Sequence, residues 1–254
     1  MLQTMIISDL SKYVFLLGGH DLEMLEILKI LRKKGFQYVD KNLKWGARLS
    51  SYADCFDHKN IFVGIELTKD IKPPKHYLEI DHHNENVGKE SSLEQIAELT
   101  KTKLNRRQTL IAANDKGYIP AMVKLGASGQ EIKRIRRADR KAQGVTLKDE
   151  RLAEKSIKEN LSVIGNITVV CSYTDFFSTI ADRLYPCNKL LIFNENNITY
   201  FGEGVKKLSE FYYDLVLKNI AWFGGGENGF FGILSQYSNP DEIIKIITKN
   251  KKNE

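Results

Sequence analysis

The chain has 254 residues, 42% of them hydrophobic and 28% charged, a balance that excludes a disordered chain and suits one large domain or two small ones. The 38 Lys and Arg against 32 Asp and Glu give a net charge of +6. That is compatible with an anionic small molecule and falls short of the density a stable duplex nucleic-acid partner needs. Cys55, Cys171 and Cys187 form no CxxC pair, which argues against a zinc knuckle and a disulfide framework. No apolar run approaches the ~20 residues of a membrane span, and the N-terminus has no cationic region leading into an apolar core. The expectation is a reduced, cytoplasmic protein without a membrane partner.

In chain order, "YVFLL" (13–17) reads as a strand ending in Gly18-Gly19. "DLEMLEILKILRKKG" (21–35) has apolar residues at three- and four-residue spacing, a basic last turn and a terminal glycine, all marks of an amphipathic helix. "IFVGIEL" (61–67) and "YLEID" (77–81) predict further strands, and "SSLEQIAELTKTK" (91–103) opens a helix with a Ser91–Glu94 capping box. "QTLIAAND" (108–115) suits either strand or helix. Ser128 and Glu131 cap the basic helix "GQEIKRIRRADRKAQG" (129–144). Its cations form either a solvated face or a positive wall that attracts an anion. "VTLKDERLAEKSIKENLS" (145–162) reads as a polar helical connector. Beyond it lie a strand (167–172), an Asn-rich hairpin (189–202), a helix (205–217), the glycine-rich "FGGGENGFFGIL" (223–234) and a last helix from Pro240.

Strands alternating with helices predict an α/β fold with a largely parallel N-terminal sheet and a smaller C-terminal α/β domain. The expected division is a first domain over 1–145, a connector over 146–160 and a second domain over 161–254. Ligands of parallel sheets gather beyond the carboxyl ends of the strands. His20, Glu66 and the triplet Asp81-His82-His83 all fall at or just after such ends. Carboxylate and imidazole together suit Mn, Fe, Co or Zn better than Ca.

The triplet, after its strand, resembles the signature of the DHH phosphoesterase superfamily. Around it, "GGHDLE" (18–23) supplies His20 with Asp21 and Glu23 at Asp-x-Asp spacing, without the usual spacer after the histidine and with Glu for the second Asp. Asp21 also fits as a helix cap. Glu66 ends a strand where the family has Asp, Asp115 precedes Gly117, and "GGGENG" resembles the GGGH-type loop of the family's C-terminal domain, with Glu227 in place of His. The likeness runs nearly the length of the chain and is closest to the two-domain, nano-RNase-like branch.

The resemblance implies a Mn²⁺-dependent phosphodiesterase (Mg²⁺ or Co²⁺ being alternatives), with two ions and an active site between the domains. It implies His20 and Asp21 on one ion, Glu23, His82 and Asp115 on the other, and Glu66 bridging. Asp81 would orient or supplement the histidines, and His83 would face the scissile phosphate. Gly224, Gly225 and Gly226 would approach a phosphate, and Glu227 would accept from a sugar, base or cationic group. Arg183 reads either as a phosphate or base contact or as a surface ion pair. The implied partner is a short nucleotide, the adenosylmethionine–AMP conjugate of type III CRISPR systems being one specific case; a homodimer stays open. The alternatives are a pyrophosphatase or phosphoadenosine phosphatase of the same superfamily, and a degenerate protein that binds a nucleotide without cutting it.

Overall fold

The structure is a computed structural model that describes residues 12–44, 46–83, 86, 88–224 and 229–249. The chain divides into two compact units, Met1–Gly144 and Val145–Glu254.

In the first unit the elements run β1 (Tyr13–Leu16), α1 (Leu22–Lys34), β2 (Gln37–Val39), a 3-10 segment (Leu49–Cys55), β3 (Ile61–Ile65), β4 (Tyr77–Ile80), α2 (Ser92–Leu99), α3 (Arg106–Lys124) and α4 (Gly129–Ala142). The four strands form a wholly parallel sheet in the order β2-β1-β3-β4. Side chains alternate across it, as a period of two requires. Tyr13 and Phe15 enter the core beneath the helices, while Val14 and Leu16 join Leu49, Tyr52 and Phe62 on the opposite face. A sheet covered on both faces explains why its strands read as continuous apolar runs. Phe15 is fully buried, and truncation to Ala would cost about 3–5 kcal/mol.

The ambiguous stretch 108–115 is helical, inside α3, because it packs on α1, α2 and α4 and a helix core tolerates its apolar run. Its Asn105–Gln108 capping box fixes the start. The capping boxes at Ser91–Glu94 and Ser128–Glu131 form as expected. Strand β2 was not anticipated, being three residues long with no apolar alternation.

The second unit carries α5 (Leu147–Asn160), β5 (Leu161–Ile164), β6 (Ile167–Cys171), α6 (Ser178–Leu184), β7 (Lys189–Phe193), β8 (Asn197–Gly202), α7 (Val205–Phe211), α8 (Tyr213–Leu217), β9 (Ala221–Gly224), β10 (Phe230–Leu234) and α9 (Pro240–Thr248). Its sheet has the order β5-β6-β7-β8-β10-β9, with only β6 and β7 parallel. Val170, Leu190 and Ile192 face one way and Val169, Leu191 and Tyr200 the other. Helix α5, polar in sequence, is part of this unit. Ala153 and Ile157 pack in the cluster of Val170 and Ile180, and the Ser156 hydroxyl accepts from the Tyr173 amide at 2.8 Å. The helix expected over 205–217 breaks at Tyr212 into α7 and α8. Among the described residues no helix is long and apolar enough to cross a membrane.

Candidate metal centre

The parallel sheet of the first unit delivers acids and imidazoles from its strand ends. Glu66 follows β3 and keeps the ladder going through its amide, which donates to the Ile80 carbonyl at 2.9 Å. Its backbone then turns left-handed, with φ 52°, a conformation a non-glycine residue holds only against strain of about 1–3 kcal/mol. Gly18, after β1, makes room for it: a Cβ there would lie 2.5 Å from the Ile65 carbonyl oxygen and 3.2 Å from the Glu66 Cβ. The first glycine of the pair that reads as a strand terminator is therefore also a close-approach position beside an acid.

His82 follows β4 and is 5% exposed. Its Nε2 lies 2.9 Å from Asp115 Oδ2, and its Nδ1 lies 3.4 Å from the Ser92 hydroxyl and 3.7 Å from Glu66 Oε1. Glu23, in the first turn of α1, is 2% exposed; its Oε1 accepts from the Leu93 amide at 3.1 Å. Asp115 comes from α3, two residues before a break in that helix at Gly117 and Tyr118. One donor atom each from Glu23, Glu66, His82 and Asp115 falls within 4.8 Å of the others, and Glu66, His82 and His83 form a second, overlapping group.

Three carboxylate oxygens of this cluster, Glu23 Oε2, Glu66 Oε1 and Asp115 Oδ2, are buried and make no hydrogen bond. Asp115 Oδ2 is close to His82 Nε2 and yet outside hydrogen-bonding geometry, so both atoms point at a common space rather than at each other. A buried acceptor without a partner costs about 1–3 kcal/mol, more when charged. Three converging on one histidine are unfavourable unless a cation completes them. Burial, with the repulsion of Asp115 and Glu66, raises the Asp21 and Glu23 carboxyls well above their ordinary range. Burial and then Asp115 raise Glu66. Oxygen donors with one imidazole fit a divalent cation. Ser92, within reach of Nδ1, leaves Nε2 as the ligating nitrogen, a division of roles usual for metal-bound histidine.

The other sequence-selected residues are placed as follows. Asp81 and His83 form a pair: Oδ1 of Asp81 is 2.9 Å from Nδ1 of His83 and accepts from its amide at 3.0 Å. This hydrogen bond, against the effect of burial, raises His83 to about 9. Burial alone would raise Asp81, but the bonds from His83 and Asn86 prevail and lower it to about 2. The His82 and His83 rings lie 4.2 Å apart between centroids. Asp21 caps α1, accepting from the Met24 amide at 2.7 Å, while sharing the electrostatics of the cluster. His20 is not among the converging donors. Its amide donates to the Leu43 carbonyl at 3.0 Å and its Nε2 lies 2.9 Å from Asp40 Oδ1.

Arg183 is bound by two carboxylates of α5, Glu150 at 2.6 Å and Glu154 at 3.0 Å, which is the ion-pair alternative of the two sequence readings. Gly224 ends β9; Gly225, Gly226 and Glu227 lie outside the described residues. Sequence reasoning missed Asp40, Ser92, Arg136 and Asp139. Ser92 stands beside a recognised cap and Arg136 within a recognised basic helix, but nothing local marks Ser92 as reaching His82 or Arg136 as reaching Asn114.

No protein-family model and no curated protein sequence matches the chain. Solved structures do match. The DHH domain of a protein described as a member of a family of ribosomal proteins superposes with a TM-score of 0.53 at 10% identity, over 93% of this chain and 85% of that one. An exopolyphosphatase-related protein from Bacteroides fragilis gives 0.50 at 13% identity, over 93% and 90%. RecJ from Thermus thermophilus, solved with Mn²⁺, gives 0.50 at 10% identity, over 93% of this chain and 52% of RecJ, so the chain spans about half of that protein. At these identities the likeness is one of fold, and the fold is the two-domain α/β fold of DHH-domain proteins.

Proposed function

We propose that this DHH-fold chain is a divalent-metal-dependent phosphodiesterase, with Mn²⁺ as its ion and a short nucleotide as its substrate. The observation that carries the reading is the gathering of donor atoms from Glu23, Glu66, His82 and Asp115 within 4.8 Å, where each of the three acids keeps a buried carboxylate oxygen without a hydrogen bond. Glu23, Glu66, His82 and Asp115 would hold the cation. When bound, it supplies Lewis-acid polarisation of a phosphoryl oxygen and a water acidified toward hydroxide.

The residues around it have separable tasks. Ser92 holds the His82 ring by Nδ1. Asp81 fixes His83 through two contacts and keeps its imidazole protonated at neutral pH. A cationic imidazole beside the centre is suited to stabilise charge growing on a phosphate or to protonate the leaving oxygen. Burial of Glu23 and of the Glu66 Oε1 atom keeps competing water from these carboxylates, which strengthens their hold on a cation.

The substrate class is a dinucleotide, a linearised cyclic dinucleotide or a signal nucleotide such as the adenosylmethionine–AMP conjugate. The test is a panel with Mn²⁺ covering pApA, cyclic dinucleotides, adenosylmethionine–AMP and pyrophosphate, read by product chromatography. Mononucleotide release supports the proposal. Phosphate release from pyrophosphate with every diester intact overturns it in favour of a pyrophosphatase. A second reading, a nucleotide binder without turnover, rests on one observation: His20, expected as an ion ligand, pairs with Asp40 outside the cluster. No turnover of any panel member with Mn²⁺, Mg²⁺ or Co²⁺ would favour it.

A further inference from the structure

Helix α4 supplies no ligand to the centre, yet its buried face reaches both segments that do. Asp139 is buried, and its Oδ1 accepts from the Leu22 amide at 3.3 Å, between Asp21 and Glu23. Its Oδ2 accepts from Nη1 of buried Arg136 at 2.7 Å and from the side-chain Nε2 of Gln143 at 3.2 Å. The same Nη1 donates to Oδ1 of buried Asn114 at 3.0 Å, the residue before Asp115. The Arg136 guanidinium also lies 4.5 Å from the Tyr118 ring centroid. Tyr118 sits at the break in α3 with φ 57° and ψ −152°, a region costly for any residue but glycine. A cation held over its ring is one interaction that offsets this cost.

We propose that Arg136 and Asp139 form a brace that sets the separation of the α1 N-terminus from the Asn114–Asp115 stretch, and so tunes metal affinity at a centre they do not touch. The proposal rests on the reading that Glu23, Glu66, His82 and Asp115 hold a divalent cation. The guanidinium of arginine matters here, since one Nη1 meets Asn114 and Asp139 while its central carbon lies over the Tyr118 ring; a lysine offers a point charge with no planar group to place there. Both are positioning residues. Their effect acts through the distance between Glu23 and Asp115, which are carried on different helices far apart in sequence.

The test titrates the full-length protein with Mn²⁺ and follows free ion by its electron paramagnetic resonance signal. Arg136→Lys, Asp139→Asn and Asn114→Ala are compared with Phe15→Ala, a core variant of the same unit distant in role. Each brace variant is expected to weaken Mn²⁺ binding by about 10- to 100-fold, the scale for groups supporting metal ligands. Phe15→Ala is expected to lower the melting temperature and leave the affinity of the folded protein within about threefold. Should one brace variant fail to fold, the other two carry the measurement. Wild-type-like affinity in the folded brace variants, with binding lost in Asp115→Asn, overturns the brace and leaves the metal centre standing. No Mn²⁺ binding by the wild type overturns the metal reading itself.

Discussion

The two units treat buried polar atoms differently. In the second, buried Ser156, Ser172 and Thr174 are each tied to a neighbour: Ser156 to Leu152 and Tyr173, Thr174 to Asp149 and Ser172. In the first, Glu23, Glu66 and Asp115 each keep a buried carboxylate oxygen without a hydrogen bond. All the buried side-chain atoms without a partner among the described residues belong to the first unit, the remaining one being the Tyr77 hydroxyl. Folding alone gives no reason to leave such atoms unpaired, since buried polar groups are ordinarily hydrogen-bonded. The contrast marks the parallel-sheet unit as the one that holds the candidate centre, on energetic grounds independent of any motif.

The contrast breaks most sharply at Asp115. Asp115→Asn should lower Mn²⁺-dependent turnover on the order of a thousandfold with the fold retained by circular dichroism; activity near wild type would remove Asp115 from the centre. Next is His83→Gln, expected to reduce kcat by about 100-fold or more. In the wild type the rate should fall as pH rises past about 9, where His83 loses its proton, and the variant should lack that limb. A pH profile of kcat reads both.

A smaller effect concerns the metal-free protein. Asp21, Glu23 and Glu66 have raised carboxyl values in the folded state, so the folded form keeps protons that the unfolded chain releases near pH ~4. Stability from this source is full below that value and is lost as pH rises through the raised ones. Glu66→Gln removes one of the repelling charges and should raise the metal-free melting temperature at neutral pH, by about 2–4 °C for each kcal/mol relieved. Added Mn²⁺ should stabilise the wild type more than the variant. Calorimetry with chelator and with Mn²⁺ measures all of these, and a variant that melts lower without metal would show that the cluster is not repulsive. The smallest effect is expected in the second unit: Arg183→Ala loses a partly exposed pairing with Glu150 and Glu154, worth about 0.2–1 kcal/mol per exposed pair, and should leave kcat/KM within about threefold.

Much of this was legible in the sequence, and the reasons are local. Strands β1, β3 and β4 are apolar runs because both faces of their sheet are covered, and acids at their ends stand out against that background. Glu66 and His82 could be picked that way, whereas Asp115, inside α3, could be picked only by its likeness to the family's Asp-then-Gly pattern. The pairing of His20 with Asp40 could not, since it depends on how the chain returns through a segment with no regular pattern. The inward turn of Arg136 and Asp139 was hidden for another reason. A helix carrying Lys133, Arg134, Arg137 and Lys141 reads as solvated, and those four are exposed. Only contacts made with α1 and α3, far away in sequence, reveal that one stripe of the same helix is a buried ion pair.

The break at Gly117 and Tyr118 has an electrical consequence as well as a steric one. It ends the first half of α3 just past Asp115, so the negative pole of that half-helix is turned toward the centre. Helix α1 begins at the Asp21 cap, so Glu23, in its first turn, sits at that helix's positive pole. The end of the first half of α3 therefore favours a cation beside Asp115, while the start of α1 lessens the cost of charge on Glu23. A cation entering there would meet a polarity already written into the backbone, before any side chain moves.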